Sequence, residues 1–262
     1  MDECTITLIG GPTALIDAGG FRLLTDPTFD PPGDYALPYT TLKKTAGPAL
    51  AADRLGRVDA VLLSHDQHWD NFDRSGKAYA IQAERLLTTA VGAKRLGGRS
   101  EGLMPWETIE LRKPEGKTLR VTATPARHGP AGIEPLSGDV IGFVLEFADD
   151  VPAIYITGDT TWFDGVAEVS RRFRIGVVVL FAGAARTRGP FNLTMNVNDA
   201  IETAHTFADA TIVPVHCDGW AHLTENAQDL EQSFKALGLA RRLRLLKPGA
   251  AMPIAPDHAA ST

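Results

Sequence analysis

Four separate apolar runs in this chain each end on a side chain able to hold a metal ion. Ala60-Val61-Leu62-Leu63-Ser64 leads into His65, Leu119 to Arg127 into His128, Ala153 to Gly158 into Asp159, and Thr211 to Val215 into His216. Each run has the length of a strand and is rich in Val, Ile, Leu or Thr. Core packing alone gives no reason for four strand ends to carry His or Asp, whereas layered folds gather a site at strand ends from distant parts of the chain. The potential ligands reach from His65 to His216, so neither half can hold the site alone. The 262 residues therefore read as one domain over 1–252, followed by a frayed tail over 253–262 in which His258 is a bystander.

Further strand-like runs are Thr5 to Ile9, Phe21 to Thr25, Val140 to Phe147 and Val177 to Phe181, and the run at His65 extends back to Val58. Helical patterns lie between the later ones. Over Asn198 to Ala208, Asn198 is placed to cap the start, and Ala200, Ile201, Ala204 and Phe207 form an apolar face. Over Leu223 to Leu237, Thr224 is the expected cap, Leu230, Phe234 and Leu237 face inward, and Gly238 stops the helix. Early hairpins followed by strand-helix alternation predict sheets sandwiched by helices. The Pro-rich segment Asp26 to Pro48 reads as a long surface loop.

The balance of 26 Lys+Arg against 32 Asp+Glu leaves no basic face, which excludes nucleic acid as a partner. The clusters Arg171, Arg172, Arg174 and Arg241, Arg242, Arg244 read as solvated helix faces. Asp2 and Glu3 stand where a secretory signal needs basic residues. The apolar stretch Ile175 to Ala185 is about half the length of a membrane span, so it reads as a buried strand and no membrane partner is expected. Cys4 and Cys217 are too few for a disulfide framework, which agrees with a reducing cytoplasm.

The densest polar element is Ser64-His65-Asp66-Gln67-His68-Trp69-Asp70-Asn71. Its two imidazoles, three residues apart, converge if the chain turns helically after the strand, and Asp70 adds a hard oxygen donor. Imidazole with carboxylate suits zinc first, with manganese or iron as alternatives. Gly10-Gly11 lacks the Lys-Ser/Thr ending of a phosphate loop, and Ser64 lacks a nucleophile elbow. Cys217, next to His216, points the opposite way along an extended segment and reads as buried. His205 reads as solvent-facing on its helix. Trp69 and Trp162 are placed to wall a cleft, and Trp220 and His222 to line a pocket.

Taken in order, Ile9-Gly10-Gly11-Pro12-Thr13-Ala14-Leu15-Ile16 with Leu23-Leu24-Thr25-Asp26-Pro27, then Val61 to Asn71, Pro125-Ala126-Arg127-His128, Ile156-Thr157-Gly158-Asp159-Thr160 and Val213-Pro214-Val215-His216 resemble the metallo-beta-lactamase-fold hydrolase superfamily. Within it they resemble the branch containing L-ascorbate-6-phosphate lactonase, and they cover about residues 5 to 225. The resemblance implies an α/β four-layer αββα sandwich of two mixed sheets flanked by helices.

That family's pattern is His-x-His-x-Asp-His, the first two histidines on one metal and the Asp and last His on a second. Here His68 and Asp70 match. Asp66 stands at the first-histidine position, Asn71 stands at the last, and His65 supplies the missing imidazole only if the loop accommodates one extra residue. By resemblance His128 completes the first site, Asp159 bridges the metals and His216 serves the second. Asp26 belongs to a family turn that orients a ligand, and is equally a turn-forming Asp before Pro. Because an amide oxygen is a poor donor to a transition metal, Asn71 predicts one strong site and a weakened second.

The expected activity is metal-dependent hydrolysis of an ester, lactone or phosphoester bond in a small anionic molecule. A metal-bound hydroxide would attack, water's pKa being lowered from about 15.7 towards 7. Asp70 is the expected catalytic residue, orienting that hydroxide and carrying a proton to the leaving group. Arg127, Arg186 and Arg188 are candidate anion holders by position. The alternative is a degenerate, non-catalytic member that binds a ligand or partner, suggested by the departures at Asp66, Gln67 and Asn71.

Overall fold

The computed structural model describes residues 4–147 and 151–255. Two mixed sheets stack face to face. In chain order the elements are β1 (Thr5–Gly10), β2 (Thr13–Ala18), β3 (Phe21–Thr25), β4 (Gly33–Ala36), β5 (Thr41–Lys44), β6 (Ala60–Leu62), α1 (Arg74–Ala80), β7 (Leu86–Thr89), α2 (Ala90–Leu96), β8 (Ser100–Leu103), β9 (Thr108–Arg112), β10 (Thr118–Pro125), α3 (Glu134–Ser137), β11 (Ile141–Glu146), β12 (Ala153–Ile156), α4 (Asp164–Arg172), β13 (Ile175–Phe181), α5 (Val197–Thr206), β14 (Thr211–Val215), α6 (Ala227–Ala236) and β15 (Ala251–Pro253). One sheet has the order β15-β1-β2-β3-β6-β7-β8 and the other β14-β13-β12-β11-β10-β9.

Alternate residues of the two sheets interdigitate in a shared core that includes Ile6, Ile16, Leu23, Leu62, Val121, Phe143, Ile156, Val179 and Val213. On the outer face of the second sheet, Tyr155, Val178 and Leu180 pack with Val166 and Val169 of α4, Ala200 and Ala204 of α5, and Leu230 and Phe234 of α6. On the outer face of the first, Leu24, Val61 and Leu63 pack with Phe72 and Ala80 beside and on α1. This is the expected helix-sheet-sheet-helix layering. β10 and β12 are both antiparallel to β11, and β13 and β14 run parallel to β12. β10, β12 and β14 therefore end at the same edge of the sheet, which is where the chain delivers His128, Asp159 and His216.

Several local expectations change. α5 is capped by Asn196, not Asn198, because the Asn196 side chain reaches the backbone N–H of Asp199. α6 is capped by Asn226, not Thr224, in a reciprocal box with Asp229. It ends at Ala236, which leaves Leu237 exposed rather than inward. The segment expected to be a long loop contains the β4–β5 hairpin. The tail begins later than expected, since Pro253 pairs with Thr5 and Ile254 is buried. His258 lies outside the described residues. Arg242 does not belong to a solvated face: its guanidinium donates to the carbonyls of Ala204, Phe207 and Ala210 at the end of α5.

The hairpin is fixed to α1 by a buried ion pair. Lys44 Nζ lies 2.8 Å from Asp73 Oδ2, with both side chains out of water. Asp73 also accepts from the backbone N–H groups of Phe29, Asp30 and Gly76, and the last of these makes it the α1 cap. Removing one partner strands a buried charge. Asp73→Ala is expected to lower unfolding free energy by about 3–5 kcal/mol; urea unfolding followed by circular dichroism measures it, and a loss under about 1 kcal/mol would contradict the pairing.

Candidate metal centre

β6 ends at Leu62, and the ligand-bearing loop follows. His65 to His68 is an irregular bend, and a helical turn begins only at His68, whose carbonyl accepts from the N–H groups of Asn71 and Phe72. The imidazoles thus converge without the helical turn expected between them. The extra residue, Gln67, is drawn out of the loop by bonds to the carbonyls of Ser137 and Asp139. Asp66 does not face the cluster. It forms a bidentate pair with Arg95 of α2, and it is the His65 ring that groups with His68 and His128.

His65, His68 and His128 form one group of converging donors, and Asp70, Asp159 and His216 a second. His68 Nδ1 lies 3.0 Å from His65 Nε2 and 3.1 Å from His128 Nε2. The outer nitrogens of the last two rings are already engaged: His65 Nδ1 is 2.8 Å from Ser64 Oγ, and His128 Nδ1 donates to the Leu193 carbonyl at 2.8 Å. Ser64 Oγ donates onward to Asp26 Oδ1 at 2.6 Å, so it accepts from His65 and fixes that tautomer. Both Nε2 lone pairs are then free to face His68 Nδ1, and at most one proton can lie among the three nitrogens. A cation fits that point. Asp26, the turn residue expected near the site, therefore reaches His65 through Ser64.

Asp159 stands between the groups. Oδ2 is 3.6 Å from His128 Nε2 and 4.0 Å from His65 Nε2, while Oδ1 is 3.6 Å from His216 Nε2. Asp70 Oδ2 is 3.6 Å from His216 Nε2 and 2.8 Å from His222 Nε2. Asp159 Oδ2 and both ring nitrogens of His216 are buried without a hydrogen-bond partner, as bare donor atoms awaiting a metal would be. Asn71 is also buried, and its Nδ2 donates to Asp159 Oδ1 at 3.3 Å.

The electrostatics divide the two groups. Burial, followed by the neighbouring imidazoles, drives His65 well below the usual histidine range, and the same causes lower His68 to about 4. Both are neutral at pH 7. Burial would lower His216 too, but the Asp159 and Asp70 carboxylates outweigh it and raise it to about 10. Burial raises Asp70 and Asp159, yet His222 and His216 around the first, and His216, His128 and His65 around the second, hold both carboxyls below their usual range.

Other expected site residues fall elsewhere. The Arg127 guanidinium stacks over Phe163 and bonds to the carbonyls of Gly129 and Trp162, in a second groove that meets the cleft over the cluster only at His128. Arg186 bonds to Asn192 outside that cleft, whereas Arg188 lines it, stacked on Tyr39 and bonded to the Leu136 carbonyl. Trp69 and His222 line the cleft. Trp162 packs instead beneath the second sheet's helices, and Trp220 packs with Tyr35 and Leu42. Cys217 is buried on that helical side and His205 is exposed, as expected. No helix among the described residues is long and apolar enough to cross a membrane.

A family model for the beta-lactamase superfamily domain matches residues 21–217. The chain belongs to that superfamily. Among similar proteins, a UPF0173 metal-dependent hydrolase of Herpetosiphon aurantiacus is 26% identical, the match covering 96% of this chain and 98% of the relative. One from Pelotomaculum thermopropionicum is 27% identical, covering 76% and 83%. The fold is shared with an isothiocyanate hydrolase from Delia radicum gut bacteria, at TM-score 0.82 and 22% identity over 96% of this superfamily member and 99% of that chain. It is shared equally with a possible metal-dependent hydrolase from Veillonella parvula, at TM-score 0.82 and 22% identity over 95% and 99%.

Because His216 is raised to about 10, it carries a proton at pH 7 when no metal is bound, and a cation at the second group must expel it. At the first group His65 and His68 are already neutral. Second-group affinity is therefore expected to rise about tenfold per pH unit between pH 6 and 9, more steeply than first-group affinity. Calorimetric zinc titrations in buffers of different ionisation enthalpy read the protons released; pH-independent uptake in both phases would refute the assignment.

Proposed function

We propose that the chain hydrolyses an ester, lactone or phosphoester bond in a small molecule with a largely apolar body and a single anionic group. By class it is a metal-dependent hydrolase. The observation that carries this reading is the pair of buried donor groups sharing Asp159 beneath a cleft that opens onto His68, Asp70 and His128. Bound there, divalent metal ions would acidify water and polarise the bond under attack. The intact donors weigh against a degenerate, non-catalytic member, even with Asn71 in place of a histidine.

The remaining work falls to side chains. Asp70 lines the cleft and is held ionised, so it accepts a proton from the attacking water and passes it to the leaving group. His128 and His65 are kept in one tautomer by Leu193 and Ser64, and so stay oriented through turnover. Leu37, Leu42, Trp69, Ala185 and Leu193 give the cleft an apolar wall, and Arg188 is its one guanidinium. That lining narrows the anionic substrate expected from sequence to one with a single charged group. It also admits a small neutral electrophile of the isothiocyanate kind, the substrate named for one fold neighbour.

A panel of aryl esters, lactones, phosphodiesters and isothiocyanates, each in neutral and singly anionic form, tests the reading. Turnover is expected to disappear on chelation and return with zinc or manganese. Asp70→Asn should lower kcat by about 10²–10⁴. Arg188→Met should raise KM for the anionic members and leave the neutral ones unchanged. Metal-independent turnover, or none across the panel in the loaded protein, would end this assignment.

A further inference from the structure

The second donor group is one imidazole short of the superfamily pattern, since Asn71 stands where the last histidine belongs. Its amide is a poor replacement as a transition-metal ligand. Nδ2 donates to Asp159 Oδ1 at 3.3 Å, and Asn71 Oδ1 is buried without a hydrogen-bond partner. Another imidazole is nevertheless present. His222 enters from the loop after β14 and brings Nε2 to 2.8 Å from Asp70 Oδ2, the same oxygen that faces His216.

The loop that carries His222 is held on both sides. Ala221 N–H donates to the Lys43 carbonyl on the β4–β5 hairpin, and the His222 carbonyl accepts from Arg186 N–H. Trp220, the residue before Ala221, is buried against Tyr35 and Leu42 and bridges to Lys44. The imidazole is therefore placed by backbone bonds and packing. Its Nδ1 is buried and has no hydrogen-bond partner.

We infer that His222 Nε2 is a protein ligand of the second metal, a divalent zinc, manganese or iron ion, in the role Asn71 has given up. This rests on the hydrolase reading only in requiring a metal at all. With His222 the second group becomes two imidazoles and two carboxylates, a donor set as complete as the superfamily pattern supplies. The weakened second site expected from Asn71 is then restored from a different loop.

The full chain, stripped by chelation and reloaded with zinc, tests this by metal analysis and by competition with a chromophoric chelator. The wild type should retain two equivalents. His222→Ala should retain one, its second affinity falling by more than about 100-fold, beyond the 10–100-fold expected when only an orienting partner is lost. His222→Gln keeps a donor for Asp70 without an imidazole, so it should lose the second equivalent as fully as the alanine variant. Asn71→His added to His222→Ala should return it. Circular dichroism of each variant checks that the fold persists. A second equivalent held by His222→Gln at near wild-type affinity makes His222 an orienting residue and overturns the inference. A wild type that binds no metal removes the hydrolase reading itself, a result distinct from two equivalents insensitive to His222.

Discussion

An ionised carboxylate with no exposure to water sits at the seam of the two sheets, and the site is arranged around what that costs. Asp159 is fully buried, and its Oδ2 has no hydrogen-bond partner. Desolvation of such a group costs several kcal/mol unless opposite charge is close by. His216, protonated between the two carboxylates, supplies that charge. A protonated His216 is a substitute for a cation, and it leaves the inner ring nitrogens of His65, His68 and His128 aimed at one another. Bound metal ions would relieve both conditions together, so the same atoms that are costly when bare are the ones that select for metal.

Delivery of these side chains imposes strain on the backbone. Asp26 and His216 have φ of 29° and 54°, in the left-handed region that side chains other than glycine avoid. Each costs about 1–3 kcal/mol and persists only where its surroundings over-determine it. His216 is held by its N–H to the Gly11 carbonyl, and Asp26 by its N–H to the Leu62 carbonyl and by a carboxyl oxygen that accepts from the Ser64 N–H and Oγ. Gly158, just before Asp159, has φ of 60°, and a Cβ there would stand 2.6 Å from the Ile141 carbonyl. Only glycine fits that turn.

The strand ends were legible in sequence because a buried strand must be apolar and a ligand cannot be, so the change of character at His65, His128, Asp159 and His216 is abrupt. Phe21–Thr25 and Thr211–Val215 are found with the expected bounds. Edge and inserted strands were not legible. β4 buries only Tyr35, β8 buries only Leu103, and Pro31, Pro32 and Pro38 around the hairpin read as loop. Both helix caps were placed two residues from their true positions, since Asn196-Val197-Asn198-Asp199 and Thr224-Glu225-Asn226 each offer two polar starts. Only the reach from cap side chain to the N3 amide decides between them. Spacing could not separate His65 from Asp66 either; what separates them is Arg95, distant in sequence, which claims the carboxylate.

Chemistry and selectivity are carried by different parts of the chain. The donors stand at the ends of sheet strands or on the loop that leaves β6, whereas Leu37, Tyr39 and Leu42 of the cleft wall come from the β4–β5 hairpin. That hairpin pairs with neither large sheet, and the buried Lys44–Asp73 ion pair ties it to the cap of α1, three residues after Asp70. Its Lys43 carbonyl also holds the loop that presents His222. A change in the hairpin can therefore reshape the cleft while the shared Asp159 and the imidazoles around it stay where the sheets put them. The exception is His222, the one imidazole near the site whose position depends on the hairpin directly, so the part that shapes the cleft also bears on the second group of donors.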